Sequence, residues 1–290
     1  MSSKRTETQT TKLFSKIHLA QLNNDKIFNR LNVLLSIKFF KVEKNFFKNK
    51  ICLDAASGLN LNSTINLLDL GAKYVFACDL NSKIKKLDKS RFKKYKNRYE
   101  VKQANLKKLP YKNESFDFVH CAGAIHHTTN YKKSITELCR TVKKGGYIYI
   151  EAYGSGGILR EITSFLREKV KKDRKFKKLI NELNEKKLRI FFLFILGKRH
   201  KKKIFKLIDS DLVLTIKDRL LSPLYIEFSD KEIIQILKEK NFYKIKRLKR
   251  RPYFQNIRKY LIKLYYNYNN RYSKFLYGSG MPCIFAKKKK

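Results

Sequence analysis

Acid is what this sequence lacks most. It carries 24 Asp and Glu against 68 Lys and Arg, a formal charge of +44. Such a surplus draws a chain toward phosphates in RNA, DNA or anionic lipid. A compositional drift would fill tolerant surface positions with Lys, Asn and Ile, but it would raise Glu alongside Lys, and here it has not. The basic excess is therefore read as partly functional. Long apolar runs are missing too. The run Ile190 to Leu196 falls far below the roughly 20 residues that a membrane-spanning helix needs. The start is polar and no apolar core follows the early Lys4 and Arg5, so no secretory leader is expected and a cytoplasmic location is. The five cysteines (Cys52, Cys78, Cys121, Cys139 and Cys283) show no metal-ligand spacing, which excludes a zinc site built on them. They read as free, buried thiols in a reducing compartment.

Glycine is scarce as well, and one place where it remains is informative. Ile51, Cys52 and Leu53 form an apolar run suited to a strand buried on both faces. The small residues Ala55, Ala56, Ser57 and Gly58 follow, where a ligand can approach the backbone closely. Asn60 is among the few non-glycine residue types that tolerate left-handed backbone. Asn62 to Leu70 reads as a helix, which Gly71 is placed to end. Tyr74 to Cys78 is a second apolar strand with Asp79 at its tip. An acid about 20 residues beyond a glycine turn is spaced to accept hydrogen bonds from a ribose diol. Strand, small-residue turn, helix and acid-tipped strand together make a nucleoside-cofactor site at the carboxyl edge of a parallel sheet.

Further along come Val101-Lys-Gln-Ala-Asn105-Leu106, Phe116-Asp-Phe-Val-His-Cys121-Ala-Gly-Ala-Ile-His126-His127, and Lys143-Lys-Gly-Gly146-Tyr-Ile-Tyr-Ile150. With the first two segments, residues 48 to 153 closely resemble the class I S-adenosylmethionine-dependent methyltransferases. Within them the stretch is most similar to the branch typified by ubiquinone and menaquinone biosynthesis C-methyltransferases. The resemblance implies an α/β fold: a Rossmann-like, seven-stranded, doubly wound sheet with a helical insert after the fifth strand. It also implies S-adenosylmethionine as cofactor. Asp54 to Asn60 matches the family's Asp-x-Gly-x-Gly-x-Gly loop around the methionine part, with Ala56 and Asn60 in place of the first and third glycines and only Gly58 kept. Asp79 matches the ribose-binding acid and Leu80 follows it. Asn105 stands where many relatives have an Asp facing the adenine amino group, and an Asn carbonyl accepts the same bond. Leu106 would supply a neighbouring backbone N–H. Phe116 to Cys121 matches the fourth strand, so that Cys121 joins the expected cofactor-binding set. Ala122 to His127 matches the loop closing over sulfonium and substrate, and Lys143 to Gly146 the turn before the fifth strand.

Methyl transfer needs few fixed residues, because the cofactor carries its own leaving group and the enzyme aligns the reactants and excludes water. A general base is required only where the nucleophile holds a proton at neutral pH. His126 and His127 are the candidates for it, and a structural polar pair positioning the loop is the alternative. Tyr153, just past the fifth strand, either lines the same pocket or is a buried aromatic.

Four regions are expected. Residues 1–47 hold a disordered polar segment, Met1 to Thr11, then helices with apolar positions Leu13, Ile17, Ala20, Ile27, Leu31, Leu34 and Leu35. In the family such helices shield the cofactor. Residues 48–153 form the cofactor-binding core. Residues 154–228 form a helical insert or lid on the substrate side, after a flexible hinge at Gly154 to Gly157. Its first helix, Ile158 to Val170, sets Ile158, Ile162, Phe165 and Leu166 on one side. The run Ile190 to Leu196, between Lys186, Lys187 and Arg189 and the stretch Lys198 to Lys203, reads first as a core helix of the lid. Its alternative is a segment dipping into an anionic membrane surface. Residues 229–290 return to the core through the capping box Ser229-Asp-Lys-Glu232 and strands at Phe242 to Leu248 and Pro282 to Ala286. Between those strands, Arg251 to Tyr277 is an aromatic and basic insertion, read as helix packing first.

Three functional readings follow. The first is methyl transfer to a small-molecule or lipid-like acceptor by direct SN2 displacement. The second is an RNA methyltransferase, which the charge favours; yet no RNA-binding module is recognisable, and no Asn-Pro-Pro-Tyr-type motif follows the fourth strand. The third is a non-catalytic binding protein on a degenerate methyltransferase fold.

Overall fold

The computed structural model describes residues 3–32, 34–86, 90–249, 254–265 and 270–290. It divides into two units. A sheet unit comprises Met1–Gly154, Ile226–Arg250 and Met281–Lys290, and a helical unit comprises Ser155–Tyr225 and Arg251–Gly280. The aromatic and basic insertion thus groups with the helices of residues 155–225 and not with the strands that flank it. Residues 251–253 and 266–269 of that stretch lie outside the described residues.

The sheet unit opens with α1 (Ser3–Leu22), α2 (Asp25–Leu31) and α3 (Ile37–Phe40). The polar N-terminal segment, expected to be disordered, is helical from Ser3. Its threonines turn back onto the helix, Thr8 and Thr10 donating to the carbonyls of Lys4 and Thr6. Glu7 also reaches across to bond Thr129 at 3.1 Å, a tertiary contact that composition does not reveal. Then come β1 (Ile51–Ala55), α4 (Asn62–Asp69), β2 (Tyr74–Asp79), β3 (Tyr99–Gln103), β4 (Phe116–Ala122), α5 (Tyr131–Thr141) and β5 (Val142–Glu151).

The sheet order is β3-β2-β1-β4-β5-β7-β6. The first five strands are parallel, and β7, antiparallel to both neighbours, lies between β5 and β6. This is the expected seven-stranded arrangement, five strands before the insert and two after it. The central strands are apolar and buried because helices cover both faces: Cys52, Leu53, Val75, Phe118, Val119, Ile148 and Ile150 lose essentially all exposure. Lys143 to Gly146 is no separate turn. It is a bulge within β5, where the pairing with β4 shifts from Phe116↔Val142 to Phe118↔Tyr147.

Residue order sets the helical unit's elements: α6 (Ile158–Lys172), α7 (Arg174–Glu182), α8 (Glu185–Leu196), α9 (Lys201–Leu207) and α10 (Ser210–Leu221). The chain then returns to the sheet unit for α11 (Asp230–Glu239), opened by the Ser229–Glu232 capping box, and for β6 (Phe242–Arg247). It leaves again for α12 (Arg258–Tyr265) and α13 (Arg271–Tyr277) and ends in β7 (Cys283–Lys288).

Two helices of the helical unit pack in ways the sequence did not specify. First, α6 turns its apolar stripe outward. Its apolar positions Ile158, Ile162 and Phe165 face solvent, whereas Arg160 and Arg167 are buried. Arg160 donates to the Gly280 carbonyl at 3.0 Å. Arg167 donates to the Arg219 and Ser222 carbonyls at 2.6 and 2.8 Å, at the end of α10, with its guanidinium 4.5 Å from the Tyr225 ring. Carbonyls left over at a helix terminus are strong acceptors for a cation, and they hold the arginines inside. Second, α8 is only half a core helix. Leu188 is buried with Ile204, Ile208 and Val213, while Ile190, Phe191, Phe194 and Ile195 are exposed.

Within the helical unit, residues 155–157 run close against residues 278–279. At Gly157 an added Cβ would lie 2.3 Å from the Gly278 amide nitrogen, and at Gly278 it would lie 2.2 Å from the Ser155 carbonyl oxygen. The Ser279 N–H donates to that same carbonyl at 2.7 Å. Two backbones cross here at a distance only glycine permits.

Candidate active site

A cleft opens at the carboxyl edge of the sheet, where β1, β2 and β4 end. It encloses about 840 Å³, its solvent-open mouth included. Its floor is small: Ala56, Ala104, Ala122, Gly123 and Ala124. Polar side chains rim it, among them Asp79 and Asn81 from the end of β2, Asn105 after β3, and Thr10, Thr11 and His18 from α1.

The loop after β1 is shaped by its own hydrogen bonds. The Ser57 N–H donates to the Cys78 carbonyl at 2.9 Å, which ties the turn to the tip of β2. Asp79 receives the Gly58 N–H at 3.0 Å on one carboxylate oxygen and the Asn81 N–H at 2.8 Å on the other. Each oxygen keeps a second lone pair, and Asp79 lines the cleft, which suits a vicinal diol. Gly58 has φ +66°, and a Cβ there would sit 2.8 Å from the His18 ring. The first-glycine position is also left-handed, and Ala56 occupies it with φ +58°. Asn60 is not left-handed; the neighbouring Leu61 is, with φ +48°. Asn60 instead turns its amide to Gln21 of α1 at 2.7 Å.

Of the residues expected from the sequence, Ala56, Asp79, Leu80, Asn105, Leu106 and His127 line the cleft. Asp54, Gly58, Asn60, Cys121 and His126 stand behind it. Asp54 is buried and receives the Thr64 hydroxyl at 2.7 Å, and it lies 3.0 Å from His120 Nδ1. It braces the loop from below. Cys121 belongs to the apolar core of the sheet, and burial pushes its thiol well above the ordinary range. Burial likewise pushes Cys78 up to about 12. His126 and His127 diverge because they are consecutive in the tight turn Ile125–His127. The fully buried His126 stacks on the Tyr153 ring at 3.7 Å and accepts the Tyr153 N–H at 3.3 Å. It packs behind the cleft with Tyr153 as its buried partner. His127 turns to the cleft and meets Phe14 of α1, their rings 4.6 Å apart.

Asn105 departs from expectation in detail. Its carbonyl accepts the Lys107 N–H at 2.9 Å within its own turn, and its amide points at Glu7 at 3.4 Å. The residues that sequence reasoning missed come mainly from α1: Glu7, Thr10, Thr11, Phe14 and His18 all line the cleft. Their spacing is the signal, since positions 7, 11, 14 and 18 share one helical face.

The cofactor implied by this arrangement fits its residues. A carboxylate suited to a diol stands at the strand tip, and small side chains line the floor. The sequence agrees at the level of family. Residues 53–150 match the methyltransferase domain family designated Methyltransf_11. Over these residues the chain is similar to that family of methyltransferase domains. S-adenosylmethionine is the expected cofactor of such a domain. An uncharacterized protein of Methanocaldococcus jannaschii is 26% identical over 143 residues, 49% of this chain and 56% of that relative. The matched part thus spans about half the length of the curated relative. Among solved structures, a chain of the complex containing the Haloferax volcanii Trm112 methyltransferase activator superposes with a TM-score of 0.51 at 9% identity, covering 96% of this chain and 94% of that one. The YcgJ protein of Bacillus subtilis gives 0.47 at 13% identity, covering 90% and 99%. At 9% identity the likeness to the first of these is one of fold.

Proposed function

We propose that this protein transfers the methyl group of S-adenosylmethionine to a small-molecule or lipid-like acceptor by direct SN2 displacement. The observation that carries the reading is Asp79, at the tip of β2 and on the wall of the cleft, its two oxygens already ordered by the Gly58 and Asn81 amides. Within this reading Asp79 holds the ribose hydroxyls, the loop from Ala56 to Asn60 adjoins the methionine part, and Asn105 and Leu106 flank the adenine. When bound, the sulfonium supplies an electrophilic methyl together with its leaving group. The chain's own work is alignment and exclusion of water, and α1 closes one side of the cleft with Phe14 and His18. His127 is the side chain placed to take a proton where the acceptor carries one. A narrower form of the proposal is an isoprenoid-like acceptor, supported by the resemblance of residues 48 to 153 to quinone-pathway enzymes.

The test is calorimetric titration of the full chain with S-adenosylmethionine and S-adenosylhomocysteine. Micromolar binding is expected. Asp79→Ala and the closer mimic Asp79→Asn should weaken it by about 10- to 100-fold, the loss of hydrogen bonds to a charged acceptor, while circular dichroism is unchanged. A folded wild-type protein that binds neither compound would overturn the proposal and leave the non-catalytic binding protein in its place.

A further inference from the structure

Helix α8 has two apolar faces, and packing within its own unit uses one. Leu188 is buried, and Phe192 and Leu193 pack with it onto the Ile204, Ile208 and Val213 cluster. The other face carries Ile190, Phe191, Phe194 and Ile195, spaced i, i+1, i+4, i+5 along one stripe. They are 55, 56, 89 and 57% exposed. A soluble helix face of this kind is normally polar, and two phenylalanines standing in water are a cost that calls for a covering.

What surrounds the stripe identifies the covering. Lys186 and Lys187 precede it, and Lys198, Arg199, Lys201, Lys202 and Lys203 follow it, all exposed. From Glu185 to Leu207 there are nine Lys and Arg against one Glu. The single acid, Glu185, is taken by an ion pair with Arg189. Arg189 also donates to the Phe205 and Ile208 carbonyls at 2.9 and 3.1 Å, so it braces the turn of the hairpin and does not reach outward. Lys187 is paired with Glu182 of α7 at 3.2 Å; the other cations share this hairpin with no acid but Glu185, and they stand at both ends of an apolar helix.

We infer that the outer face of α8, with the basic turn and α9 that follow it, docks the protein on an anionic bilayer surface. Phe191, Phe194 and the two isoleucines enter the boundary between headgroups and acyl chains, and the lysines at either end meet lipid phosphates. No described helix is long and apolar enough to cross a membrane, so the contact is interfacial. An apolar stripe flanked by cations matches a bilayer in depth as well as in charge. RNA matches the charge and could stack on the two phenylalanines, but it offers nothing to cover Ile190 and Ile195, whereas a bilayer covers all four. This inference stands apart from the chemistry of the cleft, and its test does not use methyl transfer.

The chain contains no Trp, so Phe194→Trp makes a single reporter at the most exposed position of the stripe. In full-length protein its emission should shift to the blue, and be quenched by brominated lipid, with phosphatidylcholine vesicles containing phosphatidylglycerol but not with phosphatidylcholine alone. Phe191→Ser combined with Phe194→Ser should reduce co-sedimentation with the anionic vesicles by at least about tenfold, circular dichroism being unchanged. Lys202→Glu with Lys203→Glu should do the same, at roughly fivefold or more per residue. An unshifted emission overturns the inference, as does co-sedimentation that survives loss of both phenylalanines. A blue shift produced by polyuridylate or by an acidic protein, and absent with vesicles, overturns it equally.

Discussion

A single methyl group at residue 56 concentrates the tension in this site. Its backbone is left-handed, a conformation that costs an alanine about 1–2 kcal/mol relative to glycine. It is held there because the Ser57 amide is fixed to the Cys78 carbonyl and the Gly58 amide to Asp79. Ala56 also forms part of the cleft floor. Ala56→Gly removes both strain and methyl, offset in part by the greater freedom of glycine in the unfolded chain. The expected net is a stabilisation of about 0.5 kcal/mol, read as a melting temperature about 1–2 °C higher by calorimetry, together with tighter S-adenosylmethionine binding in the same titration. A lower melting temperature would mean that the left-handed turn is not enforced in solution. The two histidines show the same sensitivity to place. One residue of offset in a tight turn sends His127 to the cleft and His126 beneath Tyr153.

At the level of elements, the sheet was readable and the helices were less so, for one physical reason. A buried strand announces itself by a short apolar run between breakers, as at Ile51 to Leu53 and Tyr74 to Cys78, and those strands stand where the runs are. Asp79 was equally legible, because strand tip and acid lie at a fixed spacing. Helix periodicity says which residues share a face but not which face is inward. In α6 the apolar face Ile158, Ile162 and Phe165 is outside, because carbonyls from Arg219, Ser222 and Gly280 make the inside suitable for Arg160 and Arg167. Those acceptors lie 52 to 120 positions along the chain, beyond the reach of any local pattern. The first turns of α1 escaped for a related reason: threonines and a glutamate facing a polar cleft have the composition of a disordered tail. The crossing of Gly157 and Gly278 yields an element-level prediction. Gly278→Ala places a Cβ against the Ser155 carbonyl with no side chain to move aside. It should cost about 2–4 kcal/mol. Hydrogen exchange would report it as faster exchange in α6 and α13, the helices on either side of the crossing. Unchanged protection there would show that the crossing opens freely.

Taken whole, the molecule joins two properties that usually exclude each other: a formal charge of +44 and large apolar side chains in open water, with Phe194, Phe165 and Phe275 foremost. The consequence is colloidal. At low ionic strength like charge holds copies apart, since the screening length is about 30 Å at 0.01 M salt. Near 1 M it shrinks to about 3 Å, and the phenylalanines of one copy then meet those of the next with nothing to keep them apart. Most proteins are salted in before they are salted out; this one should pass directly from repulsion to attraction. Static light scattering should show a second virial coefficient that changes sign from positive to negative as salt rises. Phe165→Ser with Phe194→Ser should move the crossing to higher salt. A coefficient that stays positive throughout would mean the apolar side chains are covered in solution. The acid that this sequence omitted is what an ordinary surface uses to be indifferent to salt, and without it the ionic strength of the surroundings decides whether the protein stays dispersed or gathers on itself.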